Sequence, residues 1–166
     1  MNLLIIGDPH ANPDYDNDRF ETLGKFIAKE KPHHIVCIGD MADMASLSSY
    51  DRGKLYMTLG NHEDRIDRAS NASPELYGSI SIDDLKYKEF GWKVTPFKSV
   101  LTIQHISFSH YFTSGVAGRP ISSIHIGHQL VSKLHCSAVQ GHSHLYNHSE
   151  QSRPDGQKIF GLSVGC

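Results

Sequence analysis

The chain repeats one step three times: a short apolar run stops at glycine, and polar side chains follow at once. Asn2 to Gly7 leads into Asp8 and His10, Ile35 to Gly39 into Asp40 and Asp43, and Leu55 to Leu59 through Gly60 into Asn61 and His62. Runs apolar on both alternate positions read as strands buried on both faces, which is the pattern of a parallel sheet. Between the first two, Asp18 to Lys31 carries Phe20, Leu23, Phe26 and Ile27 at helical spacing, and Pro32 ends it. Strand, helix and strand in this order predict an α/β fold.

The second half reads as shorter strands. Trp92 to Pro96, Val100 to Ile103 and Ile106 to Ser109 are close enough for an antiparallel meander. Ser81 to Glu89 predicts a short helix with Ser81 and Asp84 as a capping box, and Ile121 to Leu134 predicts another. Ser137 to Gln140 is a further strand. The turn RPDG, Arg153 to Gly156, joins Tyr146–Gln151 to Lys158–Val164 as a hairpin. The 166 residues fit a single domain, 1–166. One connection is cramped: 13 residues lie between Asp40 and Lys54, and a parallel crossover needs a dozen or more. Either the crossover is unusually tight or residues are missing between Gly53 and Lys54.

Composition removes several classes. A net charge of −2 gives no global attraction to nucleic acid or to an anionic membrane. The longest apolar run is far too short to span a bilayer, and the N-terminus has no basic n-region, so no signal peptide is read. Cys37, Cys136 and Cys166 are scattered and odd in number, which suits a reducing cytoplasm. Histidine is the anomaly, with 12 in the chain, and it is the commonest metal ligand and proton carrier near neutral pH.

Position gives those histidines meaning. GDPH offers Asp8 and His10, GDMAD offers Asp40 and Asp43, GNHE offers Asn61 and His62, FSH ends a strand at His110, and GHSH offers His142 and His144. Functional groups in open α/β sheets collect beyond the carboxyl ends of strands, and every cluster stands at such an end. The glycines before the clusters are expected to let the backbone turn sharply, and the i, i+2 histidines of GHSH can face one side only if the backbone leaves regular strand geometry. Asp, His and Asn without cysteine disfavour a thiolate zinc site. Four of these histidines and two of the carboxylates already exceed the needs of one ion. A carboxylate such as Asp40 can bridge two cations about 3.5–4 Å apart, a clamp for in-line attack at phosphorus by a bridging hydroxide.

The ordered series GDPH, GDMAD, GNHE, SH and GHSH, from Asp8 to His144, resembles the calcineurin-like metallophosphoesterase superfamily, and the short length resembles its compact phage and bacterial members. The resemblance implies a four-layer α-β-β-α sandwich of two mixed sheets around a di-metal site. It implies that Asp8, His10 and His144 hold one metal, that Asn61, His110 and His142 hold the second, and that Asp40 bridges them. His62 would face substrate, stabilising charge or protonating the leaving oxygen, with Asp43 paired to it. Glu63 and Asp64 are expected behind the ligands or in solvent. Arg119, in the glycine loop after His110, is a candidate phosphate contact. The seven remaining histidines, among them His125 and His128 at i, i+3, are expected to be structural. Many members add a closing strand where this chain stops at SVGC, so a truncated C-terminus at the second sheet's edge is expected.

The implied function is a phosphoesterase using two divalent ions (Mn, Fe, Zn, Co or Ni), more readily a phosphodiesterase than a monoesterase, on a small phosphorylated or phosphodiester substrate. The expected location is the cytoplasm, that of the host if the chain is phage-encoded. Two alternatives stand beside it. A DNA or RNA nuclease of the same superfamily would want a basic, aromatic groove, and balanced charge does not favour nucleic acid. A non-catalytic metal-binding scaffold of the same fold would tolerate decay of the ligand set.

Overall fold

The computed structural model describes residues 2–11, 16–40, 54–75 and 77–165. The elements run β1 (Leu3–Ile6), α1 (Asp18–Glu30), β2 (His34–Cys37), β3 (Lys54–Thr58), α2 (Asn61–Ala72), a 3-10 turn (Ile82–Leu85), β4 (Trp92–Thr95), β5 (Leu101–Ile103), β6 (Ile106–Ser109), β7 (Thr113–Ser114), β8 (Arg119–Pro120), α3 (Ile126–Leu134), β9 (Ser137–Gln140), β10 (Asn147–Ser152) and β11 (Lys158–Ser163). The fold is α/β. One sheet has the order β1-β2-β3-β4 and is parallel throughout. A second, β10-β11-β9-β6-β5, mixes parallel pairs at its centre with antiparallel pairs at both edges. The two-residue strands β7 and β8 pair separately.

Apolar runs explain where the core sits. Val36 and Ile38, in and just after β2, pack with Phe108 of β6 and Val139 of β9, all fully buried, so this cluster draws on both sheets. Each such side chain contributes roughly 1.5–3 kcal/mol relative to exposure. Cys37 and Met57 point the other way, onto Leu59 and Tyr87, as period-two alternation requires. Ile126 and Leu130 of α3 pack on Ala138 of β9. Among the described residues no helix is long and apolar enough to cross a membrane.

Several expectations change. Trp92–Thr95 is no meander strand: it pairs parallel with β3 and ends the first sheet, because α2 and the 3-10 turn carry the chain back across that sheet first. The helix α2 has no counterpart in the sequence reading. Ile66 is its only large apolar residue, so periodicity is silent there. Its start is fixed by Glu63, whose side chain reaches back to the Gly60 N–H at 2.9 Å. The expected helix at Ile121 begins only at Ile126, where Asn147 Oδ1 accepts the Gly127 N–H at 2.8 Å. The Ser81–Asp84 box is present over a 3-10 turn, and the RPDG hairpin forms as expected. Because β11 lies between β10 and β9, the edge on that side is β10. Asp43, the crossover 41–53 and the junction of Gly53 with Lys54 lie outside the described residues.

Candidate metal centre

Parallel pairing brings the polar strand ends together. β1, β2 and β3 run side by side in register, so Asp8, Asp40 and Asn61 leave one edge of the first sheet. β6 and β9 pair parallel with Ser109 opposite Gln140, so His110, His142 and His144 leave the matching edge of the second. Three hydrogen-bond contacts join the two sheets here: the His142 N–H donates to Asp8 Oδ2 at 2.6 Å, and the His110 ring meets the Ile38 carbonyl at 3.2 Å and Asn61 Oδ1 at 2.8 Å. Within the first set the His10 N–H donates to the Asp40 carbonyl at 3.0 Å.

All seven expected ligand residues converge. Single donor atoms of Asp8, His10 and His144 lie within 4.8 Å of one another, as do those of Asp8, Asp40 and His110. His110 Nε2 is 2.8 Å from Asn61 Oδ1, 3.1 Å from His142 Nδ1 and 3.6 Å from Asp40 Oδ2. The tautomer that places the His110 proton on Nδ1 donates it to the Ile38 carbonyl. Nε2 then presents a lone pair toward the oxygens of Asn61 and Asp40. Acceptors converging on acceptors suit a cation between them. Asp8 Oδ1 is buried without a hydrogen-bond partner, which is costly unless a cation supplies one. The donor set therefore fits divalent metal.

The backbone is bent to make this possible. His10 (φ 44°), Asp40 (46°), His142 (66°) and His144 (53°) are all left-handed, a conformation costing of order 1–3 kcal/mol in non-glycine residues and concentrated at functional sites. The irregularity expected at GHSH is thus present at both histidines. Gly39 turns the backbone as expected (φ 113°), but Gly60 works differently. Gly60 is extended (φ −92°) and does not make the bend. It is needed because a Cβ there would collide with the Asp40 carboxylate, as one at Gly141 would with Asp8.

Supporting residues were less legible. Glu63 is buried, and its Oε2 accepts the N–H groups of Gly60 and, at 3.3 Å, of Asp40, while Tyr87 donates to Oε1 at 3.5 Å. It therefore holds the left-handed turn at Asp40. Nothing local marks Tyr87, which arrives by tertiary packing. Arg19, in the first turn of α1, donates to the carbonyls of His10 at 2.7 Å and Pro9 at 3.2 Å and clamps the loop that carries His10. Only its side-chain reach could have suggested this.

His62 donates its backbone N–H to Asp40 Oδ1 at 3.2 Å, and its ring Nε2 stands 4.0 Å from Asp40 Oδ2, about 30 % exposed at the edge of the cluster. Arg119 is exposed on β8 and does not line the adjoining cavity, although its neighbour Pro120 does. His125 and His128 belong to neither ligand group among the described residues.

Charge at the cluster is strained without a cation. Burial, and then the carboxylates of Asp40 and Glu63, push Asp8 up from 3.8 to about 7, against the His142 N–H that favours ionisation. Burial pushes His110 down to about 4, with the nearby Asp40 carboxylate opposing, and burial also lowers His142. The signs differ. Asp8 stabilises the metal-free fold most below its unfolded value of 3.8, and that contribution is lost as pH rises through 7. His110 costs stability as pH falls from 6.5 through about 4. A cation binds only ionised Asp8, so loading displaces its proton. Titration calorimetry of the apo protein with Mn²⁺, in buffers of different ionisation enthalpy, should find more protons released per chain at pH 6 than at pH 8, with Asp8 supplying about one of them. Equal release at both would mean that Asp8 is already ionised or not a ligand.

A family model described as calcineurin-like phosphoesterase matches residues 1–162 of the chain. No curated protein matches it.

Proposed function

The chain belongs to the calcineurin-like phosphoesterase family, and from that premise we propose that it is a two-metal phosphodiesterase of one domain, 1–166, built as a four-layer sandwich. The layering is supported by the apolar cluster common to both sheets and by α3 on the outer side of β9. Asp8, His10 and His144 would hold one ion and Asn61, His110 and His142 the other, with Asp40 between them. When bound, two divalent cations supply Lewis-acid polarisation of the phosphoryl oxygens and a water acidic enough to attack at neutral pH.

The protein's own groups do the rest. His62, partly exposed at the rim, holds a proton for the leaving oxygen, and Asp43 keeps it there. The left-handed turns at His10, Asp40, His142 and His144 hold the donors in place before substrate arrives. Free thiols at Cys37 and Cys136 agree with a cytoplasmic setting.

The single observation that carries the reading is the convergence on His110 Nε2 of Asn61, Asp40 and His142 from three separate chain segments. A scaffold without activity had no need to keep His62 beside them. The test is hydrolysis of bis(p-nitrophenyl) phosphate, p-nitrophenyl phosphate, a cyclic nucleotide and single-stranded DNA, each with Mn²⁺, Fe²⁺, Zn²⁺, Co²⁺ and Ni²⁺. Diester cleavage faster than monoester cleavage, abolished by EDTA, is expected. Faster monoester cleavage would overturn the diester preference, and no turnover with any ion would leave the scaffold.

A further inference from the structure

A cavity of about 590 Å³ opens beside the candidate metal centre, with Asn61 and His142 in its wall. That volume is in the range of small-ligand sites. Its chemistry is not that of the metal cluster. Asn61, Arg65 and Arg68 fall at i, i+4 and i+7 of α2, one face of the helix. The two guanidinium-bearing residues therefore start about 6 Å and about 10 Å along the axis from Asn61. Lys98 adds a third cation from the loop after β4. Asp64 is the one carboxylate in the lining, so cations exceed anions by three to one. Arg65, Arg68 and Lys98 are exposed, and none has an ion-pair partner among the described residues.

The remaining wall is aromatic. Phe97 and Tyr111 pack edge to face at 5.4 Å, and Tyr111 also lies against His142 at 4.9 Å. Contacts on two sides fix the Tyr111 ring, so it can support a planar group without first being ordered. Guanidinium groups bind phosphate oxygens in pairs, and bases stack on aromatic rings in a sequence-tolerant way. An apolar acyl or alkyl ester would use neither.

We propose that this cavity binds the non-scissile part of a nucleotide substrate: a phosphate next to the scissile one on Arg65, Arg68 and Lys98, and a base against Phe97 and Tyr111. The proposal rests on the phosphodiesterase reading of the adjoining centre and names its substrate class. A free dinucleotide and the end of a single strand present the same chemistry. The compact cavity favours the dinucleotide.

The probes are the thymidine dinucleotide TpT, the same molecule with a 5′-phosphate (pTpT), its octamer pT8 and bis(p-nitrophenyl) phosphate. With Mn²⁺, kcat/KM for pTpT is expected to exceed that for TpT at least tenfold, through KM. The double variant Arg65→Ala, Arg68→Ala is expected to cut that ratio below about threefold. Both side chains are exposed on α2, so the variant should fold, which thermal melting checks. A second measurement does not need turnover. In EDTA, pTpT should bind the protein with a salt-dependent Kd, raised about tenfold by the double variant and by Tyr111→Leu. Equal kcat/KM for pTpT and pT8 is expected, and a tenfold preference for pT8 would overturn the dinucleotide assignment. Hydrolysis of bis(p-nitrophenyl) phosphate without discrimination between pTpT and TpT would overturn the proposal and leave the phosphodiesterase reading standing. Salt-dependent binding of pTpT without turnover of any probe would overturn the phosphodiesterase reading, and with it the substrate role, and leave the cavity as a nucleotide-binding site only.

Discussion

Asp40→Asn is expected to lower hydrolysis on the order of 10³-fold and to leave fewer than two metal ions per chain. The argument is electrostatic. Asp40 is buried, its Oδ2 lies 3.6 Å from His110 Nε2, and its Oδ1 accepts the His62 N–H at 3.2 Å. An amide offers no charge to share between two cations, and its NH₂ group would repel them. The same replacement is gentle on the fold. Asparagine tolerates a left-handed backbone better than most residues, which matters at φ 46°, and its oxygen can still accept from His62. The melting temperature of the metal-free variant should therefore stay close to the parent's. Removing the Asp40 charge should also let the Asp8 pKa fall below about 7, because Asp40 is one of the groups that raise it. Elemental analysis showing two ions per chain in the variant would mean that Asp40 does not bridge.

His62→Ala is expected to retain metal and fold while turnover falls roughly 10²–10⁴-fold. The His62 ring is partly exposed and its backbone N–H, which alanine keeps, makes the bond to Asp40. Truncation thus leaves no buried cavity and keeps the bond to Asp40, and of the ring contacts it removes the edge contact with His10 at 5.3 Å. The loss should grow with the basicity of the leaving group, since a poor leaving oxygen needs the proton most and an activated aryl oxide needs it least. Asp43→Asn should cost less, because the imidazole stays and only its partner's charge is lost. The two losses should not add, since both act through one proton. Near-normal rates for His62→Ala on a poor leaving group would reduce His62 to a turn residue, and the proton would have to come from elsewhere.

The candidate ligand residues Asp8, His10, Asp40, Asn61, His110, His142 and His144 were legible because each stands in a polar cluster at the end of an apolar run. A buried strand must end, and a polar side chain directly after glycine at that end, as at Asp8, Asp40, Asn61 and His142, has few structural reasons to be there. Parallel pairing follows from the apolar runs, and parallel strands bring their carboxyl ends to one edge. The candidate cluster thus follows from strand patterns alone, without any long-range knowledge. The hairpin at Arg153–Gly156 was legible for the same reason: its turn chemistry is contained in four residues.

What tertiary structure decided is whatever depends on partners distant in the chain. Helix α2 lacks an apolar stripe and is anchored by Glu63 bonding back to Gly60 and Asp40, so periodicity could not find it. Trp92–Thr95 has the same local character in either sheet, and only its pairing with β3 assigns it. Gly60 looks like a hinge in sequence, yet its need for a missing side chain comes from the Asp40 carboxylate arriving from another strand. The cations beside the centre are the clearest case. Arg65 and Arg68 come from α2, Lys98 from the loop after β4 and Tyr111 from beyond β6, so no run of basic residues marks them. The candidate ligand positions are set by local sequence because strand ends are local. The cavity is set by the fold because its charge exists only where separate segments meet.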